Sequence, residues 1–456
     1  MEDKPREECG VFGIYGPGLD VSRLTYYGLY ALQHRGQESA GIAVADSETL
    51  HLQKGRGLVS EVFSQDVITD LKGHSAIGHV RHSATNPKSL VNAQPFLSQS
   101  AKGKLSVANN GRFTNRESLR AQLYREGAVL QTTSDGEIMA NLLAKHSQHK
   151  LIDAITKSLA EIEGAYSMLL LTREALIGIR DPFGIRPLCL GKRGDAYVLA
   201  SESCALDVVG AKLIRDIQPG EIIVINDNGI TSHIFAPGSK RFHCVFEYIY
   251  FARADSSMEG FIINNIRREM GRQLAREYPV DADIVIPVPD SGTAAARGFA
   301  NGSDISFEEG FIKNKYVGRT FIQPTQSIRD MGVRLKLNPI RNIIEGKRVI
   351  IVDDSIVRGT TSGRIVKMLR EFGVKEVHFC ISSPPVVKPC YYGINVSKQE
   401  ELIACKKTLD GIKKHIGVDG LHYLSLDGLL GVFGDRKEHF CTACFSGNYP
   451  VEVNNN

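Results

Sequence analysis

Hydrophobic and polar positions along the chain fall into two successive rhythms. From Cys9 to about Asp227, short apolar runs are broken by glycine. "VFGIYG" (from Val11), "SAGIAVAD" (from Ser39) and "AYSMLLL" (from Ala165) read as strands. "SRLTYYGLYALQHRG" has helical spacing, with Ser22 placed to cap it. Residues 235–243, "FAPGSKRFH", contain Pro237 and Gly238 as breakers and read as a linker. Beyond it, "ADIVIPVPDSG" (282–292) is a strand running into a turn, "KRVIIVDDSIVRGTTSGRIVKMLREFG" (347–373) is strand, loop and helix, and "KEVHFCISSP" (375–384) is a further strand. Apolar strands alternating with helices predict a parallel sheet covered on both faces. The second half is therefore expected to be an open α/β domain.

Length agrees with this division, because 456 residues exceed what one core usually organises. A hydrophobic content of 42% is enough for sizeable cores. The formal net charge of +4 does not mark a nucleic-acid binder. No apolar run reaches membrane-spanning length, and the opening "MEDKPREE" lacks the apolar core of a signal peptide, so a cytoplasmic protein with no membrane partner is expected. Nine cysteines, an odd number without secretory context, point to metal or catalytic roles rather than a disulfide framework.

The strongest chemical signal is "VIIVDDSIVRGTTS" (349–362). A buried strand ends in Asp353 and Asp354. Ser355 follows, and then Arg358, Gly359, Thr360, Thr361 and Ser362 open a helix. Helix N-termini offer unpaired N–H groups and a positive dipole to a phosphate, and glycine permits close backbone approach. The two carboxylates are then placed to accept ribose hydroxyls or bind magnesium. The simpler reading is an acidic turn followed by a capped helix. The complete string, however, resembles the phosphoribosyl-pyrophosphate (PRPP) motif of type I phosphoribosyltransferases. In "PVPDSGTAAARG" (287–298), Asp290, Ser291 and Gly292 follow a strand and are expected to cradle pyrophosphate. Between the loops, residues 313–341 carry Lys313, Lys315, Arg319, Arg329, Arg334, Lys336 and Arg341 against only Asp330. This segment reads as a solvated or nucleic-acid-binding loop, or as a lid that closes over pyrophosphate and excludes water.

The first half resembles the N-terminal-nucleophile glutamine amidotransferases, through "CGVFGIYG" at Cys9, "LQHRGQESAGI" (32–42), "GHVRHSATN" around Arg81, "NNGRFTN" (109–115) and "TTSDGEIM" around Asp135. The resemblance implies that Cys9 is the nucleophile, with its own α-amine as proton carrier. Asn110 and Gly111 would stabilise the oxyanion. Arg81 would bind the glutamine carboxylate and Asp135 its ammonium, with Arg35 and Gly36 building the pocket wall. Because a free amine at Cys9 requires loss of Met1–Glu8, residues 1–8 are expected to be a propeptide. The sequence departs from the usual pattern at His82 and Ala84, and at Gly136.

Together the halves resemble the amidophosphoribosyltransferase family over nearly the whole chain, including "RDPFGIRPLCLG" (180–191), "ASES" (200–203), "FEYIYFARADS" (246–256), "YVGRTFIQP" (316–324) and "VRLKLNP" (333–339). The resemblance implies a four-layer αββα glutaminase domain at 9–238 and a type I phosphoribosyltransferase domain at 239–456. It also implies transfer of glutamine nitrogen to PRPP, giving 5-phosphoribosylamine in purine synthesis. A PRPP-sensing regulator without turnover is the alternative. Magnesium, one per subunit, is expected at Ser291, Asp353 and Asp354. Cys244, Cys390 and the pair Cys441-Thr-Ala-Cys444 match the positions that hold a 4Fe–4S cluster in the propeptide-bearing branch of the family; zinc or four inert thiols are the other readings. Cys189, Cys204, Cys380 and Cys405 have no matching role. Purine nucleotide inhibitors and a homotetramer are also expected.

Overall fold

The computed structural model of the chain describes residues 9–82, 90–100, 103–314, 335–394 and 399–452. The strands of the first half are β1 (Cys9–Tyr15), β2 (Ser39–Ala45), β3 (Leu50–Arg56), β4 (Ser75–Arg81), β5 (Phe96–Ser100), β6 (Gly103–Phe113), β7 (Gly164–Leu171), β8 (Leu176–Arg180), β9 (Cys189–Arg193), β10 (Ala196–Ala200), β11 (Lys212–Asp216), β12 (Glu221–Asn226) and β13 (Gly229–Ile234). They form two sheets, ordered β11-β9-β10-β1-β4-β2-β3 and β13-β12-β8-β7-β6-β5.

Alternation along the strands builds the layers, because successive side chains point to opposite faces. Val11 and Tyr15 of β1 pack with Ile77, Ala108 and Leu169 in the core between the two sheets. Phe12 and Ile14, one step out of phase, pack outward against Val21 and Leu29 of helix α1 (Val21–Ala31). On the second sheet, Val107 and Met168 pack outward against Leu119, Ile138 and Ile155. Those three belong to a helical layer made by Arg116–Arg125, Asp135–Lys145 and Leu151–Ala160. The order helix, sheet, sheet, helix is the expected αββα arrangement. One detail differs. The carboxylate of Asp20, not Ser22, caps α1 by accepting from the Arg23 amide at 3.1 Å, while the Ser22 hydroxyl donates to Asp20 and to the Ile68 carbonyl.

The second half contains β14 (His243–Cys244), β15 (Ser257–Met258), β16 (Phe261–Ile262), β17 (Ile284–Pro287), β18 (Phe311–Lys313), β19 (Leu337–Pro339), β20 (Arg348–Asp353), β21 (Glu376–Ile381), β22 (Gly420–Tyr423) and β23 (Phe440–Cys441). Strands β17-β20-β21-β22 form a parallel sheet. Val285, Ile350 and Val352 face Leu274 and Phe299 on one side. Ile284, Ile286, Val349 and Ile351 face Ile365, Leu369 and Ile412 on the other. Both faces are covered, as the unbroken apolar runs require. The basic segment springs from the antiparallel pair β18–β19; Lys313, Lys336 and Arg341 are described, whereas Lys315, Arg319, Arg329 and Arg334 lie outside the described residues.

The linker runs along the first half, with the Phe242 amide donating to the Phe183 carbonyl at 2.8 Å and the Cys244 amide to Ile185 at 3.2 Å. Among the described residues, no helix is long and apolar enough to cross a membrane.

Candidate active sites

The glutaminase candidates converge because of strand register. β1 lies between β10 and β4, and Cys9 stands opposite Arg81. Cys9 and Arg81 share the phase of Val11 and Ile77, which face the second sheet. On β6, Asn110 shares the phase of Ala108, which faces back. The period-two pattern thus turns the thiol, the guanidinium and the amide toward the same inter-sheet space.

Asn110 is fully buried, and both polar atoms of its side chain lack a hydrogen-bond partner among the described residues. Such an amide costs about 1–3 kcal/mol per unsatisfied group, so it is poised for a ligand atom. Its neighbours hold it in place. The Asn109 amide donates to Gln94 Oε1 at 2.8 Å, and the Asn109 carbonyl lies 3.1 Å from His79 Nε2. His79 is completely buried, and burial, with lesser contributions from Arg81 and Lys54, pushes its pKa down to about 3 despite the Asn109 contact. Gly111 has φ +122°, and a Cβ there would lie 2.1 Å from the Ala165 carbonyl oxygen, so only glycine fits.

Asp135 opens the helix Asp135–Lys145 at the far end of β6, accepting from the Phe113 amide at 2.9 Å. Burial raises its pKa, while Arg116 at 3.7 Å and the amide bond act the other way. His82 is described, with Nδ1 3.5 Å from Glu38; Ala84 and the segment Met1–Glu8 lie outside the described residues. Gly36 lies against Arg81, since a Cβ there would be 2.5 Å from the Arg81 amide nitrogen. Arg35 joins the two halves. It is buried and pairs with Glu202 and, at 2.6 Å, with Glu247 of the second half.

At the PRPP candidates, the loops after β17 and β20 leave neighbouring parallel strands at their carboxyl ends. A Cβ on Gly292 would lie 2.4 Å from the Val352 carbonyl, which seats the Asp290–Gly292 turn against β20. Asp353, Asp354, Ser355 and Ser362 are buried, whereas Asp290 is exposed and pairs with Lys313. The Ser355 hydroxyl donates to Asp354 at 2.6 Å, and the Asp354 amide to Asp353 at 2.9 Å. Gly359 (φ +79°) is the left-handed residue before the helix Thr360–Glu371, and Arg358 pairs with Glu401.

The four cysteines also come together. Strands β14 and β23 pair in parallel, setting Cys244 beside Cys441. Cys390 and Cys444 complete the lining of one cavity with Ile185, Arg186, Tyr392, Ile394 and Ala443. Burial, reinforced by the neighbouring thiols, raises Cys244 and Cys444, and Cys441 is pushed up to about 12. Among the described residues, no three His, Cys, Asp or Glu side chains converge on the position of a single ion.

Comparison with known proteins brings both halves under one activity. The glutamine amidotransferase domain family matches residues 79–208, which include Arg81, Asn110, Gly111 and Asp135. The phosphoribosyl transferase domain family matches residues 262–396, which include both phosphate loops. The amidophosphoribosyltransferase of Bacillus subtilis is 49% identical over 98% of this chain and 95% of its own length. That of Methanocaldococcus jannaschii is 47% identical over 98% of each chain. The chain belongs to the amidophosphoribosyltransferase family. It is similar to the solved glutamine PRPP amidotransferase of B. subtilis in complex with ADP and GMP, with a TM-score of 0.93 at 49% identity over 98% of each chain. A structure described as the allosteric regulatory enzyme of purine biosynthesis gives 0.94 at 48% identity, over 98% of this chain and 97% of that one. Amidophosphoribosyltransferases catalyse the first step of purine biosynthesis, and this is the activity of this chain.

Sequence reasoning missed His79, Gln94 and the charged residues between the halves, Arg186, Glu202 and Glu247. Four of these, all but Gln94, sit inside strings quoted for family likeness; for the three charged ones the signal was a charge beside apolar residues, which in a folded chain must find a partner.

Proposed function

We propose that Cys9, released as the first residue by cleavage of the Glu8–Cys9 bond, attacks the side-chain carbonyl of glutamine. Its α-amine takes the thiol proton and returns it to the departing ammonia. The tetrahedral oxygen is held by the Asn110 amide and the Gly111 N–H, and water then cleaves the thioester to glutamate. Arg81 holds the substrate carboxylate and Asp135 its ammonium. Ammonia passes between the halves to the anomeric carbon of PRPP, displacing pyrophosphate. Sealing the path from solvent keeps ammonia unprotonated and nucleophilic. The observation that carries the glutaminase half is the buried Asn110 amide, without a hydrogen-bond partner among the described residues and turned toward the strand of Cys9.

In the second half, Thr360, Thr361, Ser362, Arg358 and the Gly359 backbone take the 5-phosphate at the helix N-terminus. Asp353 and Asp354 accept the ribose hydroxyls, and Asp290, Ser291 and Gly292 cradle pyrophosphate. Ser291, Asp353 and Asp354 would also hold one magnesium per subunit, which neutralises pyrophosphate charge when bound. Two adjacent buried carboxylates suit an ion that usually takes one or two carboxylates and fills its shell with substrate oxygens.

Cys244, Cys390, Cys441 and Cys444 would hold a 4Fe–4S cluster that ties the linker to the C-terminal segment. The four thiols surround a cavity instead of meeting at one point, which favours a polynuclear group over zinc, whose sulfurs lie about 2.3 Å from one metal. Purine nucleotides carry ribose 5-phosphate and compete at Asp353–Ser362; the similar B. subtilis structure holds ADP and GMP. A cytoplasmic homotetramer completes the reading.

The test is pyrophosphate release by anaerobically purified protein, with intact mass and an iron and sulfide assay on the same sample. Release that needs both glutamine and PRPP, a chain beginning at Cys9 and about four irons per chain are expected. PRPP binding without release would favour a regulator. A fully active chain still carrying Met1–Glu8 would remove the propeptide claim.

A further inference from the structure

The loop that carries Cys390 also touches the glutaminase site. A Cβ built on Gly393 would lie 3.0 Å from Gly111 Cα, 3.3 Å from the Gly111 carbonyl carbon and 2.6 Å from Arg186 Nη2. Gly393 has φ +108°, a conformation that side chains rarely adopt. On its other side Gly111 abuts the Ala165 carbonyl. The Gly111 backbone is therefore clamped between β7 of its own half and a loop of the other. Arg186 fixes that loop, because its Nε donates to the Tyr392 carbonyl at 3.0 Å.

Arg186 Nη1 also lies 3.4 Å from Glu247, and the same carboxylate accepts from Arg35 at 2.6 Å. Arg35 precedes Gly36, which packs on the Arg81 backbone. A continuous run of contacts thus leads from Gly111 through Gly393, Tyr392, Arg186, Glu247, Arg35 and Gly36 to Arg81. It crosses into the second half at Gly393–Tyr392 and again at Glu247.

We propose that Gly393 is a positioning residue for glutamine hydrolysis: its backbone, pinned by Arg186, sets where the Gly111 N–H stands. The inference rests on the assignment of Asn110 and Gly111 as the oxyanion site. An oxyanion donor acts only if placed in advance within a fraction of an ångström, and losing one costs about 10²–10³ in turnover. A glycine that supports it must stay a glycine, since any side chain would push Gly111 or Arg186 away. The phosphoribosyltransferase half thereby supplies part of the rigidity of the glutaminase site, through the loop that bears one cluster thiol.

The experiment compares Gly393→Ala with the wild-type holoenzyme, measuring kcat and KM for glutamine, product formation from ammonia, iron content and melting midpoint. We expect kcat with glutamine to fall about tenfold or more, a partial loss of one oxyanion donor. The KM for glutamine and the ammonia-supported rate should stay within about twofold, with iron content unchanged. Arg186→Lys keeps a cation beside Glu247 but loses the Nε bond to Tyr392, and should give the same split, smaller; it decides the matter if Gly393→Ala is insoluble. Equal loss of both activities, a change in KM alone, or no change would overturn the proposal. Asn110→Ala separates the two levels. If it stays fully active with glutamine, the oxyanion assignment itself fails. If it is inactive while Gly393→Ala behaves as wild type, only the positioning role fails.

Discussion

Cys9 and Arg81 face each other across the antiparallel pair β1–β4, with Ser39 opposite Arg81 on its other flank. The register fixes the separation between the proposed nucleophile and the proposed carboxylate anchor, and a slip of either strand by one residue would turn its side chain away from the inter-sheet space. If Arg81 holds the end of glutamine that does not react, as proposed, its loss should appear mainly in KM. Arg81→Ala is expected to raise the KM for glutamine about 10–100-fold, from the roughly 1.5–3 kcal/mol of a charge-assisted hydrogen bond. Arg81→Lys should recover part of this, since lysine keeps the charge but not the fork. Steady-state kinetics with glutamine as the varied substrate check it.

On the proposed assignment, Asp353 and Asp354 serve the sugar, not the nitrogen donor. Asp354→Asn should lower product formation about 10²-fold or more with either glutamine or ammonia, as expected for losing several kcal/mol of charge stabilisation. Product assays with each donor at saturating PRPP distinguish this from a glutaminase defect.

Glu202 anchors the contact between the halves. Its carboxylate accepts from Arg35, from the Arg253 amide at 2.8 Å and from the Ser256 hydroxyl at 2.7 Å, with His34 Nε2 at 2.7 Å. Burial opposes its charge, yet Arg35 and His34 hold its pKa well below the usual range. Glu202→Ala would leave Arg35 buried with one counter-charge removed, which should destabilise the protein by about 3–5 kcal/mol. Differential scanning calorimetry should show a lower melting midpoint.

His79 predicts an acid-sensitive fold. Its folded pKa of about 3 lies below the unfolded value of 6.5. The unfolded chain therefore binds the proton more readily, so stability from this site is complete above pH 6.5 and is lost as pH falls toward 3. The slope inside that window is about 1.4 kcal/mol per pH unit. Melting midpoints from neutral pH downward should fall more steeply for wild type than for His79→Asn. Parallel curves would contradict the account.

The strands at Cys9, Ser39, Ala165, Ile284 and Arg348 were legible because each is an apolar run closed by a turn signal, and burial on both faces leaves a run of that kind no other home. The strand, loop and helix of the proposed PRPP site were legible because their residues are contiguous. The proposed glutaminase residues were picked out by the family likeness alone, since no spacing in sequence says that Cys9 stands opposite Arg81 or that Asn110 faces them from another sheet. Ser22 was misread as the cap because two capping residues stand two apart, and only backbone geometry selects Asp20. The contacts between halves, Arg186 with Tyr392 and Gly393 with Gly111, are separated by about two hundred positions or more and leave no local trace.

The most direct test of the coupled reaction is product formation by the Cys9→Ala enzyme with each nitrogen source. Phosphoribosylamine should no longer form from glutamine but should still form from ammonia and PRPP. Glutamine-supported formation at the wild-type rate would contradict the role of Cys9, and with it the claim that this chain releases nitrogen at one site and spends it at the other.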